Sequence, residues 1–273
     1  MGSQHPNNPQ SEQMSDESML RNLAAQAEAT WPQESALFDR YGLEAPAICD
    51  VGCGPGELAE RLLEHYPGAT VVGVDLDEAH LARATERCDR FDGRARFDVA
   101  DATTLSGLAD DSFDLVICRH LLQAVPDPSA VLAAMARIAK PRGRLHVVAE
   151  DYSMMHFWPV TVDTDDFWRR GPIAFAAETG TDLRSGRKIY NLMSELGIDA
   201  ARVDFVTVDT TRVSREIFSR IWVAWRDGYA PAIAAHTELS REHVERCFNE
   251  MIACINNPNG YAVWQIPVIT GVV

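Results

Sequence analysis

Positive charge is scarce in this sequence: 25 lysine and arginine residues stand against 40 aspartate and glutamate residues, for a formal net charge of −15. No cluster of basic residues occurs along the chain. Binding to the phosphates of nucleic acids or to anionic lipid surfaces depends on clustered lysine and arginine, so the composition argues against both kinds of partner. The acidic excess is typical of a solvated surface.

The sequence also lacks long apolar runs and patterned cysteines. No run approaches the roughly 20 apolar residues that span a bilayer, and the N-terminal residues contain no apolar core of the signal-peptide type. The six cysteines have no spacing typical of a disulfide framework or a metal site. We therefore expect a cytoplasmic protein with reduced, mostly buried thiols, no bound metal and no membrane partner.

Glycine is concentrated in one stretch, residues 48–56, which has the sequence Ile-Cys-Asp-Val-Gly-Cys-Gly-Pro-Gly. An apolar run enters this stretch and a helical pattern leaves it, which predicts a strand, a tight turn and a helix N-terminus. The glycines allow a ligand to approach main-chain N–H groups closely. A second apolar run, residues 71–74, ends in Asp75. A carboxylate at the end of a second parallel strand suits the two hydroxyls of a ribose.

Strand and helix patterns alternate through the first half of the chain. Five βα units of this kind require a parallel, doubly wound sheet, in which ligands bind beyond the carboxyl ends of the strands. The predicted strands are residues 47–51, 70–74, 95–99, 113–118 and 144–149.

Beyond residue 150 the alternation loosens. Residues 151–185 are aromatic and irregular, and a helix at about 186–196 and a strand at 203–208 then restore the pattern. Residues 214–256 predict two helices and residues 261–273 predict a closing strand. The helical pair is therefore expected to form a cap inserted before the last strand.

The N-terminal residues divide into two parts. Residues 1–15 are polar, which predicts a disordered tail. Residues 16–44 have a helical pattern that we expect to break or restart at Pro32. This segment is either a helix packed on the domain surface or a flap over a bound cofactor, with Trp31 or Gln26 as contacts.

The spacing of the glycines separates two classes of nucleotide-like cofactor. Dinucleotide-binding folds use G-x-G-x-x-G, whereas here Gly56 follows Gly54 by two residues. Glu57, at the expected helix start, would repel a phosphate group. A dinucleotide-dependent oxidoreductase is therefore disfavoured.

The stretch from Asp50 to Gly56 resembles motif I of the class I S-adenosylmethionine-dependent methyltransferases. The resemblance covers about residues 45–150, in the order and at the spacing of the family, and implies an S-adenosylmethionine-binding core there. It implies a Rossmann-like, mostly parallel seven-stranded sheet, with residues 151–273 as its remainder and the substrate-binding cap. Further matching segments are Val74-Asp75, Asp98–Ala102, Phe113–Val116, Val125–Pro128 and Lys140–Gly143, where Arg142 replaces the usual glycine.

The resemblance also implies a role for each matching residue. The glycines of the turn pass close to the methionine part of the cofactor, Asp50 supports its ammonium group, and the carbonyl of Arg119 faces the same group. Asp75 binds the ribose hydroxyls, Leu76 lies against the adenine, and Asp101 and Ala102 bind its polar edge. The expected cofactor-binding residues are thus Asp50, Gly52, Gly54, Gly56, Asp75, Leu76, Asp101, Ala102 and Arg119.

Methyl transfer from a sulfonium is an in-line displacement that needs a general base only if the nucleophile arrives protonated. The candidates for such a base are His156, Tyr152 and His120, and Glu150 offers a carboxylate near the same strand ends. The aromatic residues of the cap favour a small organic methyl acceptor, with an oxygen, nitrogen or carbon nucleophile, of the kind found in secondary metabolism.

Other functions use the same cofactor site. A tRNA or protein methyltransferase would need an open, complementary surface, and a protein that binds the cofactor without catalysis would show no turnover. The residues leave the oligomeric state open, a homodimer included.

Overall fold

Residues 17–273 are described by the structure, which is a computed structural model, and the predicted tail at residues 1–15 lies outside them. Within this range the chain forms nine α-helices and one eight-stranded sheet. The helices are α1 (Glu17–Asp39), α2 (Glu57–His65), α3 (Glu78–Cys88), α4 (Pro128–Ile138), α5 (Thr164–Arg170), α6 (Pro172–Glu178), α7 (Gly186–Glu195), α8 (Arg215–His236) and α9 (Arg241–Asn256). The strands are β1 (Ala47–Val51), β2 (Thr70–Asp75), β3 (Ala95–Val99), β4 (Phe113–Arg119), β5 (Ala139–Val148), β6 (Met155–Trp158), β7 (Asp199–Asp209) and β8 (Tyr261–Val272).

The sheet is parallel over five strands, in the order β3-β2-β1-β4-β5. The antiparallel strand β8 follows β5, and it pairs with β5 through residues 268–272 and with β6 through residues 261–264. Strand β7 lies along the opposite edge of β8. The strand order reverses between β1 and β4, so the glycine turn after β1 and the segment after β4 meet at the switch point. The prediction of a doubly wound, mostly parallel sheet is confirmed.

The helical cap is also confirmed, because α8 and α9 lie between β7 and β8 in the chain. Trp222 of α8 is fully buried. Its ring is in contact with those of Phe157, Phe218, Trp225 and Trp264. Trp158 and Tyr190, by contrast, are exposed.

Several local predictions differ from the structure. Residues 151–185, predicted to be irregular, contain helices α5 and α6, and the strand predicted at 203–208 begins at Asp199. Strand β6 is an additional eighth strand, and its alternation of buried Met155 and Phe157 with exposed residues is the period-two pattern of a half-buried strand. Strand β5 begins at Ala139, so residues 140–143 lie in its irregular first part, where the register with β4 shifts.

Helix α1 runs through Pro32 without a break. Proline removes one helical N–H and frees the carbonyl four residues earlier, at Glu28. Both positions are exposed, so water can bond to that carbonyl.

None of the helices in residues 17–273 combines the length and apolar character that crossing a membrane would require.

Candidate active site

The glycine turn is fixed to the end of β2 by main-chain hydrogen bonds. The N–H groups of Gly52 and Cys53 both donate to the Val74 carbonyl, at 2.8 and 3.0 Å. Gly52 and Gly54 have φ values of 73° and 51°, a region that glycine enters without steric cost. A Cβ atom on Gly52 would lie 3.0 Å from Leu121 Cδ2, so the turn also packs closely against the segment after β4.

Asp75 joins the two strand ends. Its Oδ2 accepts a hydrogen bond from the Gly54 N–H at 2.9 Å, and its Oδ1 accepts one from the Asp77 N–H at 3.0 Å. These bonds fix the carboxylate at the mouth of a cleft of about 380 Å³. The cleft is lined by Gly52, Val74, Asp75, Leu76, Ala100, Asp101, Ala102, Leu121 and Val125. The structure therefore brings together the residues expected to bind ribose and adenine.

Asp50 lies under the turn with only 2% of its surface exposed. Its Oδ2 has no hydrogen-bond partner among residues 17–273. Burial raises the pKa of Asp50 to about 7, against the opposing effect of the Arg119 charge and with further increases from Asp75 and Glu34. A buried acceptor without a hydrogen-bond partner destabilises the protein unless a ligand supplies the donor. A cationic group such as the methionine ammonium of the expected cofactor fits this position.

Gly56 has a different place in the structure. Its φ is 80°, and a Cβ atom there would lie 2.9 Å from the Ala84 Cα, so this glycine allows α2 to pack against α3. It is not among the residues that line the cleft.

Helix α1 covers the glycine turn. A Cβ atom at Gly54 would lie 3.6 Å from Leu23 Cδ1, so the helix packs directly on the turn. Trp31 packs against Phe38 and His65 and does not line the cleft. The buried face of α1 carries a row of polar side chains four residues apart, Asn22, Gln26, Thr30 and Glu34.

Glu34 connects this helix to the sheet. The Arg119 Nη2 donates to the Thr30 Oγ1 at 2.8 Å and pairs with the Glu34 Oε2 at 2.8 Å. The Glu34 Oε1 lies 3.0 Å from the His146 Nε2. Burial opposes ionisation of Glu34, but the charges of Arg119 and His146 outweigh it and lower its pKa to about 2. The resemblance to the family implies a role for the Arg119 carbonyl, whereas the sequence predicts none for the Arg119 side chain or for Glu34.

A second cavity, of about 510 Å³, lies between the strand ends and the cap. We call it the aromatic pocket. Its lining contains no aspartate, glutamate, lysine or arginine side chain. It is lined by His120, Gln123, Ala124, Tyr152, Trp168, Pro172, Phe175, Leu183, Trp225, Tyr229, Ile233 and Phe248.

The segment after β4, residues 120–125, contributes residues to the lining of both cavities. Leu121 and Val125 line the cofactor cleft, whereas His120, Gln123 and Ala124 line the aromatic pocket. Ligands bound in the two cavities would therefore both contact this segment.

The three candidate bases are in different environments. His120 lines the aromatic pocket, and its Nδ1 lies 2.8 Å from the Glu150 Oε1. Tyr152 also lines the pocket, but burial, followed by the negative charge of Glu150, raises its pKa well above the usual value, so its hydroxyl keeps its proton. His156 is exposed on β6 and is not among the pocket residues. The structure thus favours His120 among the three.

Comparison with known proteins agrees with this geometry. A family model described as a methyltransferase domain matches residues 49–147. The ubiquinone biosynthesis O-methyltransferase of Methylococcus capsulatus is 31% identical over 173 residues, which cover 55% of this chain and 72% of that protein. The protein of the same name from Pseudomonas fluorescens is 37% identical over 109 residues, which cover 40% of this chain and 46% of that one. The chain thus spans less than half the length of the second relative.

The solved structures show the same fold. One is Haemonchus contortus phosphoethanolamine N-methyltransferase 2 in complex with S-adenosyl-L-methionine, which matches with a TM-score of 0.55 and 20% identity. The match covers 89% of this chain and 52% of the H. contortus protein. The family model and the M. capsulatus relative agree with the residues found at the ends of the parallel strands. This chain therefore belongs to the class I S-adenosylmethionine-dependent methyltransferase family.

Proposed function

We propose that this protein transfers the methyl group of S-adenosylmethionine to a small organic acceptor held in the aromatic pocket. The observation that carries the proposal is the shared segment 120–125, which lines the cofactor cleft on one side and the pocket on the other. Methyl transfer requires the acceptor atom close to the methyl group and in line with the carbon–sulfur bond. Holding two reactants in such geometry can lower a barrier by about 7–11 kcal/mol.

The cleft, with Asp50 under the adjoining glycine turn, has the hydrogen-bonding groups that the cofactor needs. Asp50 would accept from the methionine ammonium, Asp75 from the ribose hydroxyls, and Asp101 and Ala102 would bind the adenine edge. When bound, S-adenosylmethionine supplies a methyl group on an already activated sulfonium. Because none of these groups is a phosphate, acidic side chains are suited to bind them.

The aromatic pocket supports a small acceptor. Its lining is mostly aromatic and aliphatic, as is usual for small-molecule sites. Part of its wall comes from the cap helices, and the net charge of −15 disfavours a nucleic acid as the acceptor. Two of the relatives described above are named O-methyltransferases, which supports an oxygen nucleophile.

Filling the pocket tests this proposal. In Ala124→Phe a ring should occupy acceptor space, and since overpacking costs about 1–3 kcal/mol we expect methyl transfer to fall about 5- to 150-fold. S-Adenosylmethionine binding should be unchanged, because Ala124 does not line the cofactor cleft. Transfer is measured with methyl-tritiated S-adenosylmethionine and a set of phenols and anilines, and cofactor binding by calorimetry.

Ala133→Phe is the matched control for this variant. Ala133 is exposed on α4, so the same ring should alter neither transfer nor binding. Equal transfer by Ala124→Phe and the wild type would place the acceptor outside the pocket. Failure of the wild type to bind S-adenosylmethionine would contradict the whole assignment.

The affinity for S-adenosylmethionine is expected to rise with pH. Asp50 has a pKa raised to about 7, so in the free protein it is largely protonated below this pH and ionised above it. Only the ionised form attracts the ammonium group, and its fraction grows about eightfold between about pH 6 and pH 7.5, with an equal gain in affinity. Calorimetry at the two pH values measures this gain.

Asp50→Asn serves as the control for the pH effect. The variant keeps the side-chain shape and has no charge to titrate, so its affinity should be weak and nearly constant over the same range. A wild-type dissociation constant that does not change with pH would show that Asp50 does not bind the ammonium.

We also propose a cytoplasmic location. All six cysteines are buried free thiols. Burial raises the pKa of Cys49 and Cys118 above the usual value, so these thiols are protonated. Buried, unpaired thiols are usual in a reducing compartment.

A further inference from the structure

We propose that His120 is the general base of the methyl transfer and that the acceptor is a phenol. This inference rests on the proposed function of the site. It is carried by the pairing of His120 with Glu150 at the wall of the aromatic pocket. The two residues follow neighbouring parallel strands, β4 and β5, whose carboxyl ends lie at the same edge of the sheet.

The pairing fixes where the imidazole carries its proton. The His120 Nδ1 lies 2.8 Å from the Glu150 Oε1, and the two side chains are 8% and 2% exposed. A carboxylate only accepts hydrogen bonds, so Nδ1 carries the hydrogen and donates it. In the neutral ring the lone pair is then on Nε2, the nitrogen that can take a proton from a substrate.

The Nε2 atom is buried and has no partner in the described part of the chain. Buried ring nitrogens are normally hydrogen-bonded, so this atom can accept a hydrogen bond from a ligand. His120 lines the aromatic pocket, and the acceptor is the ligand expected there.

The backbone of His120 shows that its position is imposed by its surroundings. Its φ is 53°, a left-handed value that is uncommon for a residue other than glycine. Its N–H donates to the Val148 carbonyl at 2.9 Å, and its carbonyl accepts from the Gln123 Nε2 at 2.7 Å. Strained residues held in this way are concentrated at functional sites.

The rest of the pocket favours a flat and uncharged acceptor. The rings of Tyr152 and Trp225 are stacked with centroids 5.2 Å apart, and Trp168 meets Tyr152 edge-on at 5.4 Å. No aspartate, glutamate, lysine or arginine lines the pocket, and the carboxylate of Glu150 behind its wall is paired with His120. A phenol offers a planar apolar ring and one polar group.

A phenol also needs the base that this site provides. A neutral amine attacks through its lone pair and can lose its proton afterwards, whereas a phenol is protonated at neutral pH and reacts faster as the proton leaves. The phenol oxygen forms its bond to the methyl carbon as the carbon–sulfur bond breaks, and that electron pair stays on sulfur. The phenol proton moves to the His120 Nε2, and Glu150 balances the charge of the imidazolium before the proton passes to solvent.

The test uses the whole protein, methyl-tritiated S-adenosylmethionine and paired acceptors: phenol with aniline, 1-naphthol with 1-naphthylamine, and catechol with 1,2-diaminobenzene. The wild type is expected to methylate oxygen. In His120→Ala the kcat for the phenols should fall by about 10²- to 10⁴-fold, the usual contribution of general-base catalysis. The dissociation constant for S-adenosylmethionine should stay the same, and added imidazole should restore part of the rate. His243→Ala, which removes an exposed histidine on α9, is the matched control.

Two results would overturn the inference. One is methylation of the amines but not the phenols, which would leave the proposed methyltransferase function standing. The other is a wild-type kcat for phenols in a folded His120→Ala. Absence of S-adenosylmethionine binding by the wild type would instead contradict the proposed function itself.

A spectroscopic measurement tests the base without any acceptor. In protein labelled with ¹⁵N-histidine, long-range ¹H–¹⁵N spectra distinguish a bare ring nitrogen from a protonated one. His120 should show a protonated Nδ1 and a bare Nε2, and Glu150→Ala should remove this preference. A protonated Nε2 with a bare Nδ1 in the wild type would overturn the assignment of His120 as the base.

Discussion

Replacing Asp75 with alanine is expected to weaken S-adenosylmethionine binding by about 10- to 150-fold, since charge-assisted hydrogen bonds are worth about 1.5–3 kcal/mol. The Gly54 and Asp77 N–H groups hold the carboxylate in place before any ligand arrives. The ribose hydroxyls would therefore meet an acceptor that needs no reorganisation. Titration calorimetry at one fixed pH measures the change.

Asp98→Ala is the control for the Asp75 variant. Asp98 lies on the neighbouring strand β3, is half exposed and pairs with Arg96 outside the cleft, so its loss should leave the affinity unchanged. Circular dichroism establishes that both variants are folded. If a folded Asp75→Ala binds with wild-type affinity, Asp75 does not hold the ribose.

Replacing Glu34 with alanine is expected to lower the free energy of unfolding by about 3–5 kcal/mol, because it leaves the Arg119 guanidinium without compensation and removes the hydrogen bond to His146. The Glu34 and His146 side chains are buried, and the Arg119 side chain is only 10% exposed. Loss of the carboxylate would also remove the polar contacts of Glu34 that join α1 to β4 and β5. Urea unfolding, with the midpoint and the slope fitted together, measures the loss.

Glu28→Ala is the matched control on the same helix. Glu28 is exposed and pairs with an exposed Arg220, and such surface pairs are worth about 0–1 kcal/mol. A loss of less than about 1 kcal/mol in Glu34→Ala would mean that the buried network contributes no more than a surface pair.

The acid dependence of stability gives a second measure of Glu34. Its pKa is lowered from 4.5 to about 2 in the folded protein, so its stabilising effect is complete above the unfolded pKa and is lost as the pH falls from 4.5 towards 2. The difference in unfolding free energy between the wild type and Glu34→Ala should therefore shrink over this interval. A constant difference would show that the charge of Glu34 is not the source of its effect.

The residues proposed to bind the cofactor could be selected from the sequence because they lie at strand ends. Asp75 directly follows an apolar run, and the parallel sheet then places it beside the glycine turn. The four-residue strand β6 was missed because so short an alternation is easily taken for a loop. Whether α1 continues through Pro32 depends on which side of the helix faces water. The sequence alone does not establish that side.

The side chains that act across elements could not be paired from sequence. The sequence indicates His120 as a candidate base and Glu150 as a carboxylate near the same strand ends. Their contact depends on β5 lying beside β4. Knowledge of the strand order would have brought them together, since both follow the carboxyl ends of neighbouring strands. Glu34 could have been found only from the row of polar residues four apart, and its partners depend on where α1 docks.

Strand β8 has a consequence for how the chain folds during synthesis. It pairs with β5, β6 and β7, all of which precede it in the chain. Until β8 leaves the ribosome, each of these strands presents an unpaired edge, and β7 carries the exposed apolar side chains of Val203 and Phe205. Pairings between distant parts of a chain form late and slowly. The chain is therefore most open to aggregation and to chaperone binding in the interval before β8 is made.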